Sequence, residues 1–85
     1  MNDEELEKIQ SDTLKNLLLK IEQKYLTDKN ICRILLQGSQ QQKRYLNLID
    51  ITHRNLTSSM HFKQYRRAQR FLITLDMLCR KCFNY

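Results

Sequence analysis

The chain has no proline, no tryptophan and a single glycine, Gly38, among its 85 residues. A β-rich fold of this size needs tight hairpin turns, and those turns draw on glycine and on residues that tolerate positive φ. The same poverty leaves no glycine-rich phosphate loop, and neither a nucleophile elbow nor a paired-carboxylate arrangement occurs. No run approaches the roughly 18 apolar residues of a membrane span. Acids are scarce as well, with nine Asp and Glu against fifteen Lys and Arg, a net charge of +6. These absences point to a small all-α, basic protein with no enzymatic activity, no cofactor and no metal.

The opening MNDEELEKIQ is acidic and polar, unlike a secretory leader or an Arg-rich transit peptide. Three cysteines, Cys32, Cys79 and Cys82, make an odd number. An intracellular setting, cytoplasmic or nuclear, is therefore expected. One domain over residues 1–85 is expected, and a domain of this size buries only about 60 to 65% of its unfolded surface.

What is present is unevenly spread. Residues 1–12 form an acidic segment in which Asp3, Glu4, Glu5, Glu7 and Asp12 face one base, Lys8, for a net of −4. The rest carries fourteen bases against Glu22, Asp28, Asp50 and Asp76, a net of +10. A body of that sign attracts an acidic protein, nucleic acid or an anionic surface. The acidic start is placed to shield part of it.

Helix punctuation divides the chain into four to six segments. Asn2 or Asp3 caps a first helix that is expected to stop or bend at Ser11-Asp12-Thr13. Leu14, Leu17, Leu18, Ile21 and Tyr25 then recur at helical spacing and require burial. Thr27 or Asp28 caps a short helix carrying Ile31, Ile34 and Leu35. Gly38 reads as a left-handed terminator, and Ser39-Gln40-Gln41-Gln42 fits a capping box. Tyr45, Leu46, Leu48, Ile49 and Ile51 belong to the next helix, and Asn55-Leu56-Thr57-Ser58-Ser59 reads as a polar connector. The last helix is expected from about Met60 to Cys82, with a bend near Phe71–Thr74. One continuous helix from Asn30 to Thr57 is the competing reading.

The stretch HFKQYRRAQRFL, residues 61–72, mixes aromatics and cations in sequence. Wound at 100° per residue, it separates into a core stripe of Tyr65, Ala68, Leu72, Leu75 and Cys79 and an opposite stripe of Lys63, Arg66, Arg67 and Arg70. Three roles stand open for the cations: a solvated face, a surface for an acidic partner, or a track for phosphates that would release counterions. No zinc-finger spacing or other nucleic-acid signature accompanies them. Cys79-Arg80-Lys81-Cys82 is a C-x-x-C whose flanking cations favour a thiolate. It lacks a second ligand pair for zinc, so both thiols are expected to face the core. His53 and His61 are expected in solvated or capping roles.

The run Leu26-Thr27-Asp28-Lys29-Asn30-Ile31-Cys32-Arg33-Ile34 and the run Gly38-Ser39-Gln40-Gln41-Gln42-Lys43-Arg44-Tyr45-Leu46-Asn47-Leu48-Ile49 together resemble a caspase-recruitment domain of the death-fold superfamily, a similarity spanning residues 14–78. The resemblance implies a six-helix antiparallel bundle that associates homotypically, basic face to acidic face, with Lys43 and Arg44 at the family's basic positions. The acidic side would rest on Asp12, Glu22 and Asp28. A long central helix would instead look like a histone-fold subunit, heterodimeric and associated with DNA, and a phage- or plasmid-type inhibitor is a third class. The expected contact set is Lys43, Arg44, Lys63, Arg66, Arg67 and Arg70. The expected partner is an acidic protein surface, another helical domain above all, with nucleic acid as the alternative, in an oligomeric or heteromeric assembly.

Overall fold

The computed structural model describes residues 2–83 and forms four helices with no strand among them: α1 (Asp3–Tyr25), α2 (Asp28–Gln37), α3 (Gln40–His61) and α4 (Tyr65–Phe83). Asn2 caps α1, its side chain accepting from the Glu5 amide at 2.8 Å, and Asp3, Glu4 and Glu5 fill the positive end of the dipole. The helix does not stop at Ser11-Asp12-Thr13. Each of those residues costs only about 0.5 kcal/mol of helix propensity. Tertiary contacts on both sides, Glu7 with Lys63 upstream and buried Leu14 and Leu18 downstream, hold the segment helical.

The corner after α1 follows the residues expected for it. The Thr27 hydroxyl accepts from the Asn30 amide at 3.2 Å, and the Asn30 side chain donates back to the Tyr25 carbonyl at 3.1 Å. One carbonyl at the end of α1 and one amide at the start of α2 are thereby satisfied by side chains of the corner. At the second corner Ser39 and Gln42 form the reciprocal capping box, at 3.1 and 2.9 Å, so residues 30–57 are two helices rather than one. Gly38 is not left-handed: its φ is −73° and its ψ 154°. Space, not positive φ, requires the glycine, because a Cβ there would lie 2.4 Å from the Ile34 carbonyl oxygen and 2.9 Å from Ile34 Cγ2.

The expected connector at residues 55–59 is helical instead. Thr52, Leu56 and Ser59 continue the buried stripe of α3 from Ile49. The polar residues there are satisfied within the helix, Thr57 donating to the Arg54 carbonyl and Ser59 to the Asn55 carbonyl. The break comes later, at Phe62-Lys63-Gln64. The Lys63 amide donates to the Met60 carbonyl and the Gln64 amide to the Ser59 carbonyl. These are the two bonds of a Schellman motif, with Lys63 at φ 59° in the left-handed position that glycine usually occupies. A lysine there gives the sequence no stop mark, which is why the last helix reads as starting at about Met60, five residues before Tyr65. α4 then runs unbroken through Phe71–Thr74.

Two contacts orient the rod. Glu7 meets Lys63 at one end, and the Tyr25 and Phe83 rings stack at the other with centroids 6.1 Å apart, so α1 and α4 run in the same direction. α3 is antiparallel to both. The Gln42 side chain donates to the Cys82 carbonyl at 3.2 Å, and the Cys82 thiol donates to the Gln42 carbonyl at 3.5 Å, tying the start of α3 to the end of α4. His53 Nε2 lies 3.0 Å from Glu22 Oε2, a link from α3 to α1 rather than the solvated role expected of it. α2 folds back on the first half of α3. The result measures about 50 × 18 × 18 Å, and its core is one seam through Leu14, Leu18, Ile34, Ile49, Leu56, Leu72 and Leu75.

Candidate protein-docking surface

The cations of HFKQYRRAQRFL do not all share one helix. His61 ends α3, Lys63 sits in the turn, and Arg66, Arg67 and Arg70 stand on α4. Lys63 is engaged within the chain, its Nζ 3.7 Å from Glu7. The acidic start of α1 thus reaches the near end of the basic region and screens it there. Beyond that point screening stops, for no carboxylate lies within 4 Å of Arg66, Arg67 or Arg70 among the described residues. The Arg67 guanidinium lies over the Phe71 ring, 5.6 Å from its centroid. Such a contact is worth about 0.5–1 kcal/mol at an exposed site. It fixes the direction of one cation.

The core stripe read from the sequence is found where expected. Ala68, Leu72, Leu75 and Cys79 are buried and Tyr65 half-buried, while Arg66, Arg67 and Arg70 are exposed on the far side. The same far side continues past the arginines through exposed Ile73 and Met77 to Arg80 and Lys81. Arg80 is paired with Asp76 at 3.1 Å. The outer face of α4 is therefore basic, then apolar, then basic. The helical period that groups Arg66 and Arg70 also places Ile73, Met77, Arg80 and Lys81 on that face.

Lys43 and Arg44 do not join the arginines. They lie in the first turns of α3, whose Gln42 is tied to Cys82 at the end of α4, and twenty residues of chain separate Lys43 from Lys63, about 30 Å at 1.5 Å per residue. The six residues expected to form one contact set occupy two ends of the rod.

A second feature escaped the sequence. Leu17 belongs to the apolar stripe of α1 but remains 42% exposed, and Ile9 and Ile73 are 49% and 66% exposed. These three line a groove between α1 and α4 on the side away from α3, made of two hollows of about 350 and 300 Å³ that share Leu17, Leu72 and Ile73. Lys20 and Lys24 border one hollow and Arg66 the other. A contiguous apolar patch with a polar rim marks an interaction site more often than isolated exposed leucines do. The parallel alignment of α1 and α4 creates it, and no local pattern in either helix announces that alignment.

The thiols offer no chemistry at this surface. Cys79 and Cys82 face the core as expected, and Cys32 is exposed. Burial first, then the neighbouring Cys82 and Asp76, pushes the Cys79 thiol up to about 12, and burial raises Cys82 as well. A cysteine in an unfolded chain ionises near 8.5. At pH 8 the Cys79 thiol is thus almost wholly protonated. A thiol-reactive disulfide added at pH 8 is expected to modify Cys32 rapidly and Cys79 and Cys82 only as fast as the chain unfolds. The sign of the pH effect follows: from about pH 9 toward 12 the unfolded chain sheds protons that the folded chain retains, so stability falls over that window. Replacing Cys79 by alanine should flatten this alkaline loss, read from melting temperatures across the range. Among the described residues no group of three His, Cys, Asp or Glu side chains is placed to hold a metal ion, and no helix is long and apolar enough to cross a membrane.

Compared with protein-family models, with curated proteins and with solved structures, the chain matches none.

Proposed function

We propose that this protein is a non-enzymatic interaction module that binds an acidic partner protein through the outer face of α4, with Arg66, Arg67 and Arg70 as its principal contacts. The observation that carries the reading is their state: three exposed guanidinium groups within about one and a half turns of helix, none paired with a carboxylate among the described residues. Holding like charges this close opposes folding slightly, and apart from the Arg67–Phe71 contact no ion pair among the described residues accounts for them. Arginine suits a carboxylate surface because its planar fork makes two parallel hydrogen bonds.

Nucleic acid would use the same cations. The neighbours favour protein, since exposed Ile73 and Met77 continue the face and apolar side chains gain nothing from phosphate. Lys43 and Arg44 sit at the other end, next to the Gln42 that meets Cys82, about 18 to 24 Å along α4 from Arg70 and Arg66, where a partner long enough to span that length would reach them. A homotypic association of the death-fold kind would rest on that second cluster.

The test is charge reversal. Arg66→Glu, Arg67→Glu and Arg70→Glu together should leave the helical circular dichroism unchanged and shift stability by no more than about 0.5 kcal/mol at Arg66 and Arg70 and about 1 kcal/mol at Arg67, where the Phe71 contact is lost. Capture of an acidic protein partner should fall at least tenfold. Retained capture by the folded triple variant removes this face from consideration. Affinity for duplex DNA that exceeds the protein interaction and falls steeply with salt would transfer the face to nucleic acid.

A further inference from the structure

Resting on that reading, we infer that the partner element is a single acidic amphipathic helix of about four turns, seated in the groove between α1 and α4. The groove runs from Ile9 to Lys24 along α1, fifteen residues or about 22 Å. That length matches a helix of roughly fifteen residues. Its floor is buried Leu14 and Leu72, and its walls are the half-open side chains of Ile9, Leu17 and Ile73. An apolar ridge at i, i+3, i+4 and i+7 is the shape that fills such a trough.

Charge selects the occupant. The groove borders carry Lys20, Lys24 and Arg66 against one carboxylate, Asp76, which already holds Arg80. A second copy of this chain would bring the same cations against themselves, and like charges facing one another across an interface cost affinity. A nucleic-acid strand would satisfy the cations and leave Ile9, Leu17 and Ile73 in water. An acidic helix serves both: its leucines or similar residues cover the walls, and glutamates along its two flanks reach Arg66 near one end and Lys20 and Lys24 toward the other. The arginine face of α4 adjoins the groove at Arg66, so long-range steering and apolar seating are continuous.

The probe is an 18-residue synthetic peptide with leucines at helical spacing on one face and glutamates on the others, compared with a scrambled peptide of identical composition. Fluorescence anisotropy gives the affinity, and amide shifts on the isotopically labelled full chain give the location. The expected result is saturable binding, shifts concentrated in residues 9–24 and 65–77, and at least tenfold weaker binding of the scrambled peptide. Ile73→Glu, at a side chain 66% exposed, should weaken the patterned peptide at least tenfold without altering the melt. Leu17→Ser gives the same reading from the opposite wall. Equal binding of patterned and scrambled peptides, or shifts centred outside the groove, overturns the inference. So do groove shifts that grow with protein concentration in the absence of peptide, which would give the groove to a second copy. If Arg67→Glu with Arg70→Glu abolishes binding while Ile73→Glu and Leu17→Ser leave it intact, the groove is excluded and the basic-face reading stands. No binding of either peptide at low salt overturns both.

Discussion

Leu56→Ala is expected to cost about 2–5 kcal/mol and to lower the melting temperature by roughly 10 °C or more. Leu56 has no exposed surface and lies on α3 where the seam meets α4. Removing its three terminal carbons forfeits their transfer free energy, and the cavity left behind adds to the loss, because the surrounding helices relax only in part. The effect is large relative to the whole, since a chain of this length is stable by only about 4–13 kcal/mol. Among the described residues, a rod about 18 Å wide has a single buried seam and no second cluster to share the defect. Leu36→Ala supplies the contrast. Leu36 is 82% exposed on α2, and its replacement should stay within about 0.5 kcal/mol. Thermal melts of the two variants check the pair, and equal costs would place Leu56 outside the core.

Gly38→Ala is expected to destabilise by about 1–3 kcal/mol, although Gly38 has a backbone conformation that any residue adopts. The added methyl would meet the Ile34 carbonyl oxygen at 2.4 Å, and that same oxygen accepts the Gly38 amide at 2.8 Å. Backbone has to move to admit it. The movement would be transmitted to Ile34, which is 2% exposed and is the buried anchor of α2, and to the Ser39–Gln42 capping box one residue on. An alternative expectation follows from the ordinary φ alone: there, alanine would stabilise by about 0.4–1 kcal/mol through the unfolded chain. Denaturant titration distinguishes the two by sign.

Some features of this protein were legible because they are local. The caps of α1 and α2, legible to within one residue and formed by Asn2 and Thr27, and the capping box after Gly38 each depend on residues three apart, and those contacts form whatever the rest of the chain does. The separation of Ala68, Leu72, Leu75 and Cys79 from Arg66, Arg67 and Arg70 follows from helical period alone. The break after α3 was not legible at its true place, because a Schellman motif with Lys63 at its left-handed position carries no glycine to announce it. Its consequence is functional, since it takes Lys63 out of the arginine stripe and gives it to Glu7.

By itself, then, the sequence determined the helical class, the Ser39–Gln42 capping box and which residues share the faces of α4. Those are set by propensity, periodicity and hydrogen bonds within one turn. Only the tertiary structure decided that α1 and α4 run parallel, that Leu17 stays half in water beside Ile73, and that Lys43 and Arg44 stand about 30 Å from the other basic end. Those relations depend on how separate helices pack, and packing is settled by shape and burial across the whole seam. A groove belongs to two helices at once, and neither helix encodes it alone.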